Sequence, residues 1–181
     1  MNFKEVEEKV QVALDKLSKN EQKIIANNIS ERAITHKLAE YLQQEFPDYD
    51  VDCEYNRNFE EGRDRPKFIE VIRRKVFEMI EDGIKHKTLE EVKDQVSTYP
   101  DIIVHERLAN DRNLLVVEVK KSNNNNNADW SIDDEKLNYF TDQKKEYKFQ
   151  LGLHIEIFVK NEWEEPKLRW FIDGKESEKL L

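Results

Sequence analysis

Two charged residues sit inside an otherwise apolar run, and any chemistry in this chain is best sought there first. Leu114 to Lys120 reads Leu-Leu-Val-Val-Glu-Val-Lys, a β-branched, apolar stretch of the kind that forms a buried strand. Strand side chains alternate with period two. Leu114, Val116, Glu118 and Lys120 therefore share one face, and Leu115, Val117 and Val119 share the other. A carboxylate and an ammonium on a core strand are costly unless they pair or bind something. A polar turn, Ala109 to Asn113, links this strand to an earlier one that opens at Pro100-Asp101 and runs through Ile102, Ile103 and Val104. A second acid thus stands at the mouth of the neighbouring strand.

Pro100-Asp101, sixteen intervening residues, then Glu118-Val119-Lys120 resembles the signature of the PD-(D/E)XK nuclease superfamily, the restriction-endonuclease-like fold. The resemblance implies that Asp101 and Glu118 hold Mg²⁺ (Mn²⁺ substituting), that the Val119 carbonyl adds a ligand, and that Lys120 orients or activates water. The chemistry is coherent, because Mg²⁺ prefers oxygen ligands and usually takes one or two carboxylates, waters and substrate phosphate oxygens. A bound metal lowers the pKa of its water and stabilises charge on the phosphoryl group. A Lys beside the metal would hold the nucleophile and have its own pKa lowered by burial.

An earlier segment must supply the rest of such a site. Ser30 is placed as an N-cap for a helix running from Glu31 to about Phe46, just before Pro47. Ile34, Leu38, Tyr41 and Leu42 mark its buried face at about 100° per residue, and Glu31 falls on that face. Glu40 lies opposite, and His36 reads as a surface residue. The resemblance makes Glu31 a further site residue, as the first-helix Glu is in many members of the superfamily. The run from Ile29 to Arg57, with YPDIIVHER, EVKKS and QLGLHIEIF further on, is similar to a family of small bacterial proteins that carry this nuclease core.

The remaining elements follow in chain order. Residues 3 to 17 are amphipathic and helical, with Val6, Val10, Ala13, Leu14 and Leu17 inward. Ser18-x-x-Glu21 has the form of a capping box for a short second helix carrying Ile24 and Ile25. Asp50 to Arg57 alternates as a half-buried strand. Residues 58–98 read as a helical insertion arm: a turn from Gly62 to Pro66, a helix from Phe68 to Ile80 ended by Gly83, and a Thr88-capped helix from Leu89 to Val96. Arg57 through Lys75 carries seven Lys or Arg against four acids, leaving about +3 on the arm and about −12 elsewhere. Such an arm suits a phosphate backbone or an ordinary solvated face. The tract Ser122 to Trp130 reads as a flexible loop, and Ser131 as the cap of a helix over 132–141 with Leu137 and Phe140 inward. Phe149 to Val159 alternates as a strand, its His154 and Glu156 directed to solvent, with Gly152 marking a close approach or bulge. Lys167 to Ile172 is the last strand, and Asp173-Gly174 is a turn. Lys121, Lys136 and Arg57 are the candidate substrate contacts.

The fold expected is therefore α/β with a mixed sheet. It is a single domain with a restriction-endonuclease-like αβββαβ core, an N-terminal helical extension over 1–29 and a helical insertion between the first and second strands. At 181 residues, with 38% hydrophobic and 38% charged residues and only four Gly and four Pro, the chain suits one folded domain. No apolar run reaches membrane-spanning length, and the opening residues are neither signal nor transit peptide. The single Cys53 excludes an internal disulfide and a cysteine-based zinc site, which suits a cytoplasmic protein. Gly-rich phosphate loops, H-E-x-x-H, G-x-S-x-G and paired C-x-x-C motifs do not occur. Two functions remain. One is a Mg²⁺-dependent nuclease acting on DNA. The other is a nuclease-fold binding or regulatory module without catalysis. The acid-acid-Lys set favours the first. The net charge of −9 opposes indiscriminate nucleic-acid binding and favours the second, or an enzyme working as a homodimer or with a partner protein.

Overall fold

The computed structural model describes residues 1–55, 57–60, 63–66, 68–81, 84–97, 99–123, 127–159 and 163–177, with the stretches 57–97 and 127–129 described as backbone. Three helices come first: α1 (Phe3–Asn20), α2 (Gln22–Ala26) and α3 (Glu31–Glu45). Strands β1 (Asp50–Cys53), β6 (Ile102–His105), β7 (Leu115–Lys121), β8 (Leu151–Ile157), β9 (Lys167–Ile172) and β10 (Lys175–Glu176) form a six-stranded sheet in the order β1-β6-β7-β8-β9-β10. Helix α4 (Asn127–Thr141) lies in the connection from β7 to β8, the one parallel pair; every other neighbouring pair in this sheet is antiparallel. That pairing follows from the connections, since a parallel neighbour needs a crossover long enough to hold a helix.

The sheet is covered on both faces. Val6, Val10, Leu14 and Leu17 of α1 and Ile34, Leu38 and Leu42 of α3 pack with Ile102, Val104, Leu115, Val117, Val119, Leu153 and Ile155. On the opposite face Ile103 and Val116 pack with Leu137 and Phe140 of α4 and with Tyr147, Phe149 and Phe171. The period-two division is realised from Leu115 onward, with Glu118 on the α4 side, while Leu114, expected on the Val116 face, precedes β7 and packs with Leu115, Val117 and Val119. Each fully buried Leu, Ile or Phe in these layers contributes about 1.5–3 kcal/mol. The mixed α/β class and the buried strand pair agree with expectation. No helix among the described residues is long and apolar enough to cross a membrane.

Helix ends repay comparison. Ser30 caps α3 as expected, its hydroxyl accepting from the Ala33 N–H. The expected box at Ser18 and Glu21 does not form. Ser18 lies within α1 and donates to the Asp15 carbonyl, and α2 has no side-chain cap. The box forms instead at Asn2 and Glu5, which satisfy each other's backbone N–H groups at 3.0 and 2.8 Å. Ser131 lies inside α4, which begins at Asn127, so the polar tract is shorter than its composition suggests. The first strand ends at Cys53 rather than Arg57, Glu54 having turned to positive φ.

The insertion arm is the main correction. It contains strands rather than helices: β2 (Arg57–Glu60) pairs with β3 (Arg63–Pro66), and β4 (Phe68–Glu81) pairs with β5 (Ile84–Ser97) from Phe68↔Ser97 to Glu81↔Ile84. The spacing of four that joins Phe68, Ile72, Val76 and Ile80 is a multiple of two, so it marks one face of a strand as well as of a helix. The β-branched and aromatic residues of this run favour the strand, and Asp82-Gly83 is a hairpin dipeptide before it is a helix stop. Thr88, expected as a cap, pairs with Phe77 in mid-strand. Gly62 and Gly83 lie outside the described residues.

Two glycines have structural reasons. Asp173 and Gly174 both take positive φ, 51° and 77°, between β9 and β10, the conformation that a two-residue hairpin of this hand requires. Gly152 faces α4, where an added Cβ would stand 3.0 Å from Thr141 Cγ2 and 3.1 Å from Phe171 Cβ. It is a close approach, and no bulge interrupts the β8 register. Replacing Gly152 by Ala should cost about 1–3 kcal/mol through overpacking, read as a lower urea midpoint; an unchanged midpoint would contradict this contact.

Candidate active site

The site is assembled at one end of β7 by three elements that approach it separately. Asp101 precedes β6, and its Oδ2 accepts a 2.7 Å hydrogen bond from the Val119 N–H. This bond holds the first acid against the backbone of the strand that carries the second. Glu118 follows from the β7 alternation and is 1% exposed. Its Oε2 lies 3.5 Å from the Lys136 Nζ of α4, while its Oε1 is buried without a hydrogen-bond partner. Glu31, the first residue of α3, enters from the other layer. Its Oε2 accepts from the Lys121 N–H at 3.1 Å and its Oε1 stands 3.7 Å from the Lys120 Nζ.

Helix α4 adds a residue that the sequence reading missed. Asp133 is 3% exposed and takes an ion pair from each lysine, 2.9 Å from Lys120 Nζ and 2.8 Å from Lys136 Nζ. The available signal was its spacing: Asp133, Lys136 and Leu137 share the inward face of one helix. Together Glu31, Asp101, Glu118 and Asp133 set four carboxylates against two ammonium groups, a formal excess of two negative charges.

Electrostatics follow from burial. Desolvation pushes the Glu118 carboxyl well above the ordinary range, and the nearby Asp101 charge pushes the same way, against the opposing pull of Lys136. Desolvation also raises Asp101, opposed by its bond from Val119 and by Lys120. For Lys120, burial alone would lower the pKa, but the hydrogen bond and charge of Asp133, then Glu31 and Asp101, outweigh it and raise the value. This reverses the expected depression. Lys120 is an ammonium donor here, not a neutral base. Lys136 is raised in the same manner, burial being outweighed by Glu118 and Asp133.

The other candidates are less central. Lys121 is turned to structural use, its Nζ donating to Asn28 Oδ1 at 2.8 Å and to the Ile29 carbonyl at 3.2 Å. The Arg57 side chain lies outside the described residues. His154 corrects another expectation. It is 1% exposed rather than solvent-directed, because α4 covers that face of β8 and Trp130 meets its ring edge-on at 5.1 Å. Its Nδ1 is paired with the Arg169 guanidinium, which only donates. The neutral ring proton therefore sits on Nε2, which is buried without a partner. Burial and Arg169 lower its pKa. The register Glu118↔His154 places it beside the second acid. A separate cluster, Asp52 with His105 and Arg107, fastens β1 to β6 and its continuation.

A cleft of about 580 Å³ opens between α3 and β1, lined by Glu31, Arg32, Thr35, His36, Cys53, Glu54, Tyr99 and Asp101. The Cys53 thiol facing it is pushed up to about 11, by burial first and then by Asp101 and other acids, so it is not a thiolate nucleophile. Among the described residues, no three His, Cys, Asp or Glu side chains are grouped so as to enclose a metal ion. Mg²⁺ needs only one or two protein carboxylates. The orphaned Glu118 oxygen beside Asp101 fits that lesser demand. Comparisons of the chain with family models, with curated proteins and with solved structures give no match.

Because Glu118 and Asp101 carry raised pKa values when folded, their contribution favours the fold at low pH and is lost as pH rises through those values. Glu118→Gln should therefore stabilise the metal-free protein near neutral pH by on the order of 1 kcal/mol, with a gain that shrinks on acidification. Thermal melts across a pH series check this, and a variant less stable than wild type at neutral pH would contradict it.

Proposed function

We propose that this protein is a divalent-metal-dependent nuclease that hydrolyses phosphodiester bonds, with DNA as substrate and Mg²⁺ (or Mn²⁺) as cofactor. The observation that carries the reading is the Glu118 Oε1 oxygen: buried, without a hydrogen-bond partner, and near the half-buried Asp101 carboxylate. With both carboxylates ionised such an arrangement is unfavourable, and a bound cation would relieve it. Supporting it is the succession α3, β1, β6, β7, α4, β8, with its first three strands antiparallel and its last pair parallel. We read this as a restriction-endonuclease-like core.

Asp101, Glu118 and the Val119 carbonyl would hold the ion, which when bound would polarise water and neutralise charge on the phosphoryl oxygens. Lys120, kept charged and aimed by Glu31 and Asp133, would donate to the attacking water or to a phosphate oxygen. Its role is to orient and to stabilise charge. Lys136 would serve as a second donor once a cation replaced it beside Glu118. A second reading, a binding or regulatory module acting with a partner protein, is favoured by one observation: Lys120, Lys121 and Lys136 are all engaged by groups of the same chain, in a protein of net charge −9.

Calorimetry with Mg²⁺ at low salt, followed by cleavage of a mixed DNA panel, separates the two. The wild type should bind metal, with binding lost in Asp101→Ala and Glu118→Ala. Lys120→Ala should retain metal and lose cutting by about 10²-fold or more. A folded wild type that binds no metal would leave only the non-catalytic module.

A further inference from the structure

The cleft leading to the carboxylates holds a residue that the hydrolytic reading leaves unused. Tyr99 is 52% exposed and lines the cleft with Glu31, Arg32, His36 and Asp101. Its side chain makes no hydrogen bond or ring contact with the described residues. Pro100 follows it, and a residue before proline is confined to extended backbone. The ring is thereby carried on a stiff segment two residues from Asp101, whose carboxylate is itself fastened to β7. With the backbone beneath it already fixed, only side-chain freedom is lost when something stacks on the exposed ring.

The surroundings select the occupant. Glu31, Glu54 and Asp101 line the same recess, so a bare phosphate would be repelled there, and Arg32 is already paired with Glu54 at 2.9 Å. The favoured group is flat, polarisable and uncharged, its own phosphate meeting Asp101 only where a bound cation would offset the repulsion. A nucleobase has those properties. At about 580 Å³ the recess falls within the ~300–1,000 Å³ of ordinary small-ligand sites, enough for a nucleotide and too small for a duplex. In a duplex each base already spends its faces on its neighbours, whereas an unpaired base has a face to offer. We infer that the preferred substrate is single-stranded DNA, with an unpaired base stacked on Tyr99 while the adjoining phosphodiester lies at Asp101, the proposed metal ligand that lines the same cleft. This rests on the nuclease reading of the same site and narrows it.

The test is fluorescence anisotropy with a labelled oligothymidylate, the same strand made abasic, and a blunt duplex, all with Ca²⁺ in place of Mg²⁺. Base–aromatic stacking is worth enough for Tyr99→Ala to weaken oligothymidylate binding roughly ten-fold. Tyr99→Phe should match wild type, and the abasic strand should bind wild type as weakly as oligothymidylate binds Tyr99→Ala. Equal binding by Tyr99→Ala and wild type, equal binding of the abasic strand, or tighter binding of the duplex would overturn the inference. Mg²⁺ calorimetry on the same samples separates the two levels. Metal binding with Tyr99-independent affinity rejects the stack and leaves the nuclease. Tyr99-dependent affinity without metal binding rejects the nuclease and leaves a single-strand binding cleft.

Discussion

A carboxylate removed from water is the constraint on which the rest of this structure depends. Glu118 could be accommodated on a core strand by a full set of hydrogen bonds, by protonation, or by a cation. Its one ion pair, at 3.5 Å from Lys136, satisfies only one of its oxygens. The remaining cost falls on a strand whose other residues up to Val119 are Leu and Val, 0% exposed over 114–117 and at Val119. Such a strand is rigid enough to hold an unfavourable charge in place, because its register is specified from both sides by β6 and β8. Stability is given up at this point and recovered in the layers around it.

Those layers explain why the charged groups meet. The sheet has α1 and α3 on one face and α4 on the other, and the end of β7 is where both layers reach. Glu31 arrives because Ser30 starts α3 there, Asp133 and Lys136 because the crossover from β7 to β8 runs through α4. Lys120 is held between the layers by one acid from each, Glu31 and Asp133. The consequence is a lysine held as a cation between two carboxylates.

Much of this arrangement was legible in the chain because its signals are local. Strand alternation placed Glu118 opposite Val117 and Val119, the Ser30 cap and the 100° periodicity placed Glu31, and Asp173-Gly174 announced its hairpin. Asp133 was legible only through its helical spacing with Lys136 and Leu137, and His154 not at all, because each is buried by an element distant in sequence: Lys120 of β7 against α4, and α4 over β8. Asp133 went unassigned in a helix read only for Leu137 and Phe140, and His154 read as the outer face of a strand. The arm from Phe68 to Ser97 was misread for a different reason. Its apolar spacing fits both periods, and β-branching with Asp82-Gly83 outweighs the helical pattern. The direction of the Lys120 shift failed because burial was counted without the two acids that surround it.

The most direct measurement of the central claim is anomalous diffraction from crystals soaked in Mn²⁺. The account predicts one strong peak within coordination distance of Asp101 and the Glu118 Oε1, with the Lys136 ammonium displaced from Glu118. A Mn²⁺-saturated crystal with no peak there, and with Lys136 still against Glu118, would contradict it.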